Sequence, residues 1–365
     1  MEVDFKEPIE ISADTFLVGK REGGPLERNT YLRTFKTGSK RINLVIDPGP
    51  PTDFEVLSVK LAKVIDDPKN VHIVFLNHQD PDVGYNAVYF QRLNPNLIIV
   101  TTQDTWRVVR YFGLNDKSFR AVESFLNNRV MLSTGHRLIF IPTPFLHARG
   151  ACMVYDPETQ ILFSGDFFGG LTSKEAGVYA TDKDWDGIKA FHQIYMPSKE
   201  AIKLAINAIK KLNPPPLVIA AQHGSLIEGD LLVKFMGRME TIEVGIDLIK
   251  DTKLNASLRD VLNDIIAAVS QRMSKEKIAM VLNRFTAGRT FPDLATVRDG
   301  KIVEIKFDAV GVFTSIVKGL INNSDAETRA LIKARATKLL LDRDLPLIDL
   351  EHGDRLDVPE LFDEQ

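Results

Sequence analysis

Short apolar runs rich in β-branched residues punctuate the first 230 residues, and several of them end in a loop that carries histidine or aspartate. The runs are Phe16-Leu-Val, Ile42-Asn-Leu-Val-Ile, Val71-His-Ile-Val-Phe-Leu, Leu97-Ile-Ile-Val, Arg137-Leu-Ile-Phe-Ile, Ala151-Cys-Met-Val-Tyr, Ile161-Leu-Phe and Leu217-Val-Ile-Ala. Each has strand length, and helical patterns lie between them over Phe54 to Ile65, Gly84 to Leu93 and Ser198 to Leu212. In the last, Ala201, Ile202, Leu204, Ala205, Ala208, Ile209 and Leu212 form one apolar stripe before Pro214-Pro-Pro ends it. Asp47-Pro-Gly-Pro and Asp156-Pro-Glu-Thr mark turns, the second joining Met153–Asp156 to Gln160–Phe163 as a hairpin. Strands mixed with covering helices predict an α/β (α+β) chain built as a layered αββα sandwich.

The chemistry sits where those runs stop. His78, Asp80 and Asp82 follow Val71–Leu76 as His-x-Asp-x-Asp. His147 lies in Phe-Leu-His, Asp166 in Phe-Ser-Gly-Asp and His223 in Gln-His-Gly-Ser. Loops held by a rigid scaffold are where metal ligands collect. Three imidazoles and three carboxylates suit two divalent metals sharing one bridging carboxylate. His72 and His136 are read as structural, and His352 and the acidic run Asp354 to Glu364 as solvated.

Composition excludes other chemistries. A formal charge of −3 offers no electrostatic case for nucleic acid or an anionic membrane. The single cysteine, Cys152, rules out a disulfide framework, a cysteine-rich zinc site and an iron–sulfur motif, and its apolar run predicts a buried, inert thiol. The start of the chain lacks a signal-peptide core, and no apolar run has membrane-spanning length. The expectation is a soluble cytoplasmic protein.

The pattern changes after about residue 230. Leu231 to Ile249 predicts a connecting helix. Asn255 to Arg284 predicts another, with Leu258, Val261, Leu262, Ile265, Ile266, Val269 and Met273 on one face. Asp299-Gly300 predicts a type I′ hairpin turn. Two helices follow, the last with a capping box from Ser324 to Glu327. The expected division is 1–250 for the metal-bearing domain and 251–365 for a mainly helical domain containing the β-hairpin.

The six residues, in this order and context, resemble the diiron ligand set of the metallo-β-lactamase-fold domain of flavodiiron proteins, whose pattern is His-x-Glu-x-Asp-His, then His, Asp and His. Arg28-Asn-Thr-Tyr-Leu before Val45-Ile-Asp-Pro-Gly, and Ile194-Tyr-Met-Pro-Ser before Ile219-Ala-Ala-Gln-His-Gly, resemble the family in context. The resemblance covers about residues 10–250. His78-Gln-Asp-Pro-Asp-Val and Ser164-Gly-Asp-Phe-Phe-Gly-Gly look most similar to the stand-alone oxygen-binding diiron proteins, which lack a flavodoxin domain. It implies His78, Asp80 and His147 on one iron, Asp82 and His223 on the other, and Asp166 on both. Carboxylate at Asp80, where zinc hydrolases of the fold carry His, favours iron. Val83 departs from the pattern by standing where reductases have His. The second iron would then carry water, O₂ or another side chain, with Tyr85 and His192 as candidate donors. Aromatic residues around Tyr85, Phe167 and Phe168 are expected to form a lid that slows water entry.

The implied function is O₂ or NO binding at a non-haem diiron centre, read as an oxygen sensor without a resident flavin. It would work as a homodimer, with residues 251–365 for dimerisation or output to a signalling protein. The alternatives are an O₂ or NO reductase fed by an external electron donor, and a dinuclear zinc hydrolase.

Overall fold

The computed structural model describes residues 4–22, 24–173, 176–250, 252–285, 294–306, 308–348 and 350. His352 and the acidic run 354–364 lie outside the described residues. Internal packing divides the chain into two compact units, one ending at Gly245 and one beginning at Ile246.

The first unit holds two sheets. One runs in chain order: β1 (Ile9–Ser12), β2 (Thr15–Leu17), β3 (Tyr31–Thr37), β4 (Lys40–Ile46), β5 (Ile73–Phe75), β6 (Ile98–Thr101) and β7 (Phe119–Ala121). Strands β1 to β4 pair antiparallel, and β4 to β7 pair parallel. The second comprises β8 (Arg129–Met131), β9 (Arg137–Pro142), β10 (Cys152–Asp156), β11 (Ile161–Gly165), β12 (Val218–Ala221) and β13 (Ile227–Glu228), ordered β13-β12-β11-β10-β9-β8. Parallel strands need crossovers, and helices supply them. These are α1 (Phe54–Ile65), α2 (Pro81–Gly84), α3 (Ala87–Leu93) and α4 (Gln103–Val109) in the first half, then α5 (Trp185–Tyr195) and α6 (Lys199–Ile209) in the second, where α7 (Gly229–Met239) follows the last strand.

Three apolar cores make the layers. Phe35, Leu44 and Phe75 meet Phe140, Val154 and Phe163 between the sheets. Val45, Val74 and Ile99 pack under Leu61, Phe90 and Trp106 of the helices on one outer face. Met153, Tyr155 and Leu162 pack under Ile202, Ile206 and Phe235 on the other. Along β10, Cys152 and Val154 face inward while Met153 and Tyr155 face the helices, the period of two that a strand imposes. The architecture is the expected αββα sandwich. Cys152 is fully buried, and burial pushes its thiol pKa up.

The second unit comprises α8 (Ile246–Lys250), α9 (Thr252–Val269), α10 (Lys275–Leu282), the hairpin β14 (Ala295–Arg298) and β15 (Lys301–Ile305), α11 (Ala309–Asn322) and α12 (Ala326–Asp342). The predicted stripe from Leu258 to Met273 is buried throughout, against Phe313, Ile316, Leu320 and Ile332. Asp299 (φ 49°) and Gly300 (φ 73°) both take positive φ, as a type I′ turn requires. Asn263 ties α9 to the hairpin by donating to Ile302 O and accepting from Ile302 N.

Several helix limits differ from those read in the sequence. Leu231–Ile249 is two helices, α7 ending at Met239 and α8 beginning only after Gly245. There φ is +49°, and a Cβ would stand 2.3 Å from Pro197 O. Asn255–Arg284 is likewise two, with Ser274 capping α10 through Lys277 N. Gly84–Leu93 is helical only from Ala87, and Pro81–Gly84 forms a separate turn. The last helix is capped by Asp325, which accepts from Thr328 N at 2.8 Å. Ser324 bonds back to Ile321 O, and Glu327 pairs with Arg272, so the predicted capping box does not form. Among the described residues, no helix is long and apolar enough to cross a membrane.

Candidate metal centre

Each of the six predicted residues sits just past a strand or in the turn that follows it. His78 lies after β5, Asp80 immediately precedes the short helix α2, and Asp82 lies within it. His147 belongs to the loop between β9 and β10, beyond a cis Leu146–His147 peptide. Asp166 directly follows β11, and His223 follows β12. The sandwich therefore delivers all six to one end.

Local hydrogen bonds fix which imidazole nitrogen faces the centre. Asn77 donates its amide to Cys152 O at 2.6 Å, which leaves its Oδ1 to accept from His78 Nδ1 at 3.0 Å. His223 Nδ1 donates to Glu27 O at 2.9 Å. In both rings Nε2 is left facing the carboxylates, the arrangement a metal-binding histidine needs. Gly165 is required here: at φ +60°, a Cβ would fall 2.0 Å from the Asn77 side chain. The opening segment holds the last histidine. Asn29 N donates to Gln222 O, and the Asn29 amide donates to Ala221 O and Gly224 O.

The donors form two groups joined by one carboxylate. Asp166 Oδ2 stands 3.7 Å from His78 Nε2 and 3.2 Å from His147 Nε2. Asp80 Oδ2 completes this group, 3.6 Å from His78 and 3.2 Å from His147. Asp166 Oδ1 faces the other way, 3.5 Å from His223 Nε2, and Asp82 Oδ2 is 3.6 Å from that same nitrogen. His78, Asp166 and His223 are buried, whereas about a third of the Asp80 and Asp82 side chains is exposed, so the centre opens on their side.

Electrostatics mark the point as short of positive charge. Burial opposes the charged form of His147, yet the Asp166 and Asp80 carboxylates push its pKa up to about 10. His78 is raised by Asp166 and Asp80 against the same desolvation. Burial would raise the Asp166 carboxyl, but the facing histidines carry it down to about 2. Asp80, bonded to His147 and His78, is held far below the usual carboxylate range.

The residues fit a metal pair on the protein's own terms. Asp166 Oδ1 is buried and accepts no hydrogen bond among the described residues. An unsatisfied buried carboxylate oxygen is costly, and a cation is the partner its surroundings leave room to invoke. The three carboxylates form a hard donor set that suits iron better than zinc.

Other expectations change. His192 is fully buried, accepting from Phe168 N and donating to Ile188 O, and burial lowers its pKa to about 4. Both ring nitrogens are used, so it is not a ligand. Phe167 and Phe168 are buried in the helix-covered core rather than forming a lid. Tyr85 packs on Phe112 and Tyr89, and among the described residues nothing ties it to the six donors. His72 and His136 are structural, accepting from Asn43 N and bonding Thr134 respectively. Tyr195 was not singled out from the sequence. Its ring lies 6.2 Å from that of His147, and its phenol pKa is raised by burial and by Asp166, Asp82 and Asp80. Its proximity comes from the packing of α5, which no local motif encodes.

Comparison with known proteins identifies the family and the fold. The model of the family described as ODP family beta lactamase matches residues 26–224. The chain is 27% identical to diflavin flavoprotein A 1 of Synechocystis over 58% of its own length and 37% of the relative's. It is 24% identical to the anaerobic nitric oxide reductase flavorubredoxin of Pectobacterium atrosepticum, over 45% and 33%. The chain thus spans about a third of the length of these curated relatives. The fold matches the apo chemotaxis sensor ODP from T. denticola with a TM-score of 0.54, at 22% identity, covering 66% of this chain and 95% of that one. It matches the flavodiiron protein from Giardia intestinalis with a TM-score of 0.60, at 16% identity, covering 86% and 80%. With its family model spanning more than half of the chain, the protein belongs to the ODP family beta lactamases, a flavodiiron-like group with the metallo-β-lactamase fold.

Proposed function

We propose that this chain holds two non-haem irons through His78, Asp80, His147, Asp82, His223 and the shared Asp166, and that it binds O₂ or NO there as a sensor. The observation that carries the reading is the Asp166 carboxylate. One of its oxygens faces His78 and His147, and the other, buried and without a hydrogen bond, faces His223. The iron pair, when bound, would supply the electrons that make O₂ or NO a ligand. The protein's part is to hold the imidazole tautomers through Asn77 and Glu27, and to admit the gas on the side of Asp80 and Asp82. Tyr195, half-exposed beside His147, offers a phenol for a hydrogen bond to whatever binds.

A sensor must hold its ligand long enough to report it. We propose that this chain carries no flavin of its own, so that sustained turnover would need an outside electron donor. We further propose a homodimer in which residues 251–365 serve dimerisation or signal output. The test is anaerobic loading with ferrous iron, metal analysis, and stopped-flow absorbance on O₂ exposure. Two irons per chain and a single, long-lived absorbance change support the sensor. Sustained O₂ or NO consumption with an added rubredoxin or flavoprotein replaces it with a reductase, the activity in the name of the Pectobacterium relative. Zinc alone after iron-supplemented aerobic expression replaces both with a hydrolase. A chain truncated after Gly245 that keeps the full-length oligomer removes the second unit from dimerisation.

A further inference from the structure

The sandwich is not filled evenly. Between the two sheets lies a cavity of about 210 Å³, lined almost wholly by apolar side chains, among them Ile73, Ile98, Val100, Val130 and Leu132. It lies toward the edge where β7 ends one sheet and β8 ends the other. Phe125, from the connection between those strands, stacks on Phe140 at 5.5 Å and forms part of its wall.

One cation breaks this apolar lining. On β7, Phe119 lies flat on Trp106, at 4.4 Å between centroids and 2° between planes, on the helix-covered face. Alternation along a strand then turns Arg120 to the opposite face, between the sheets. Arg120 pairs in register with Val100, a cavity-lining residue, and itself lines the cavity. This exposed position on the edge strand carries a guanidinium beside the apolar lining. Among the described residues, its only hydrogen bonds run from one nitrogen to Lys117 O and Phe119 O, and it meets no carboxylate. Arg120 is exposed, so its charged head stays wet while its stem borders the apolar space.

We propose that this cavity is a binding site for a medium-chain carboxylic acid, with the tail between the sheets and the carboxylate on Arg120. A cavity of about 150 Å³ lined by similar side chains takes up benzene and stays dry. Scaling by volume gives this one room for a chain of about eight carbons. An apolar cavity alone would take any small apolar molecule. The unpaired guanidinium at its boundary selects an anion, because its planar donors match a carboxylate.

The site is independent of the metal centre, and so is its test. The full chain, methyl-labelled and free of metal, is titrated with octanoate and followed by NMR. Saturable shifts are expected at the methyls of Ile73, Ile98, Val100, Val130 and Leu132. Hexanoate should bind about fifteenfold more weakly, from two fewer buried methylenes. Arg120→Gln should weaken octanoate about tenfold and leave octanol unchanged. Leu132→Phe, which fills the cavity, should abolish binding of both. If that variant does not fold, the Arg120→Gln comparison decides alone, since it changes an exposed side chain. Absence of saturable shifts overturns the proposal. Equal effects of Arg120→Gln on octanoate and octanol overturn the carboxylate part of it, leaving an unselective apolar cavity.

Discussion

The two halves of the candidate metal centre share Asp166 and are otherwise unequal. On one side, the His78 and His147 imidazoles each stand between 3.2 and 3.7 Å from both Asp166 Oδ2 and Asp80 Oδ2. On the other, only His223 and Asp82 meet Asp166 Oδ1. The first group is closed by its own ion pairs. The second leaves a buried carboxylate oxygen without a hydrogen bond. We propose that the difference follows from one sequence position, Val83, which brings no donor where the flavodiiron pattern has His. A complete group binds a metal for itself, and an incomplete one leaves a coordination position for a ligand.

The shared residue gives the largest expected effect. Asp166→Ala should lose both irons, because each group depends on one of its oxygens. Metal analysis after anaerobic loading measures this, and a variant retaining two irons would refute the bridge. His147→Ala should halve the content, emptying the first group while His223 and Asp82 still hold the second with Asp166. Loss of both metals there would mean that the halves fill cooperatively.

The next effect is pH-dependent and also separates the halves. In the metal-free protein, Asp166 and Asp80 raise His147 from 6.5 to about 10. A raised histidine stabilises the fold fully below its unfolded pKa, and that stability is lost as pH climbs through the folded value. The metal-free protein should therefore lose stability between pH 6.5 and about 10. The depressed Asp166 acts at the other end, with stability present above 3.8 and lost as pH falls through about 2. Thermal melts across pH check both, and His147→Ala should flatten the alkaline slope. Because a metal displaces the His147 proton, filling the first group at neutral pH should also release protons. Titration in weak buffer that finds none would contradict the shifted value.

What could be read from the sequence follows the range of the interactions. His78, Asp166 and His223 were legible because each closely follows an apolar run that can only be a strand. The stripe from Leu258 to Met273 was legible because helical periodicity is local. The break at Gly245 was not, since it depends on an approach to Pro197 that no neighbouring residue announces. The shift of the last cap from Ser324 to Asp325 reflects two adjacent residues that both cap well, a choice made by where α11 ends. His192 looked available as a ligand, yet Ile188 O and Phe168 N occupy both its nitrogens. Tyr195 looked unremarkable, yet α5 carries it beside His147. Tertiary packing decided both.

The smallest predicted effect addresses the inequality itself. Val83 is fully buried, yet it belongs to none of the four apolar cores. Its carbonyl accepts from Gly49 N, so the backbone that also carries Asp82 is anchored independently of the side chain. Replacing valine with histidine adds a donor at a buried position next to Asp82. Val83→His should raise the affinity of the second group on the order of tenfold, the scale on which metal sites respond to improved support, and leave the first unchanged. Anaerobic titration that resolves the two binding steps measures it. Convergence of the two affinities would establish the missing donor as the source of the asymmetry, and O₂ binding should then weaken as the free position closes. If the second step does not move, the cause lies instead in the one-third exposure of Asp82, and the open side of the centre is set by solvent rather than by Val83.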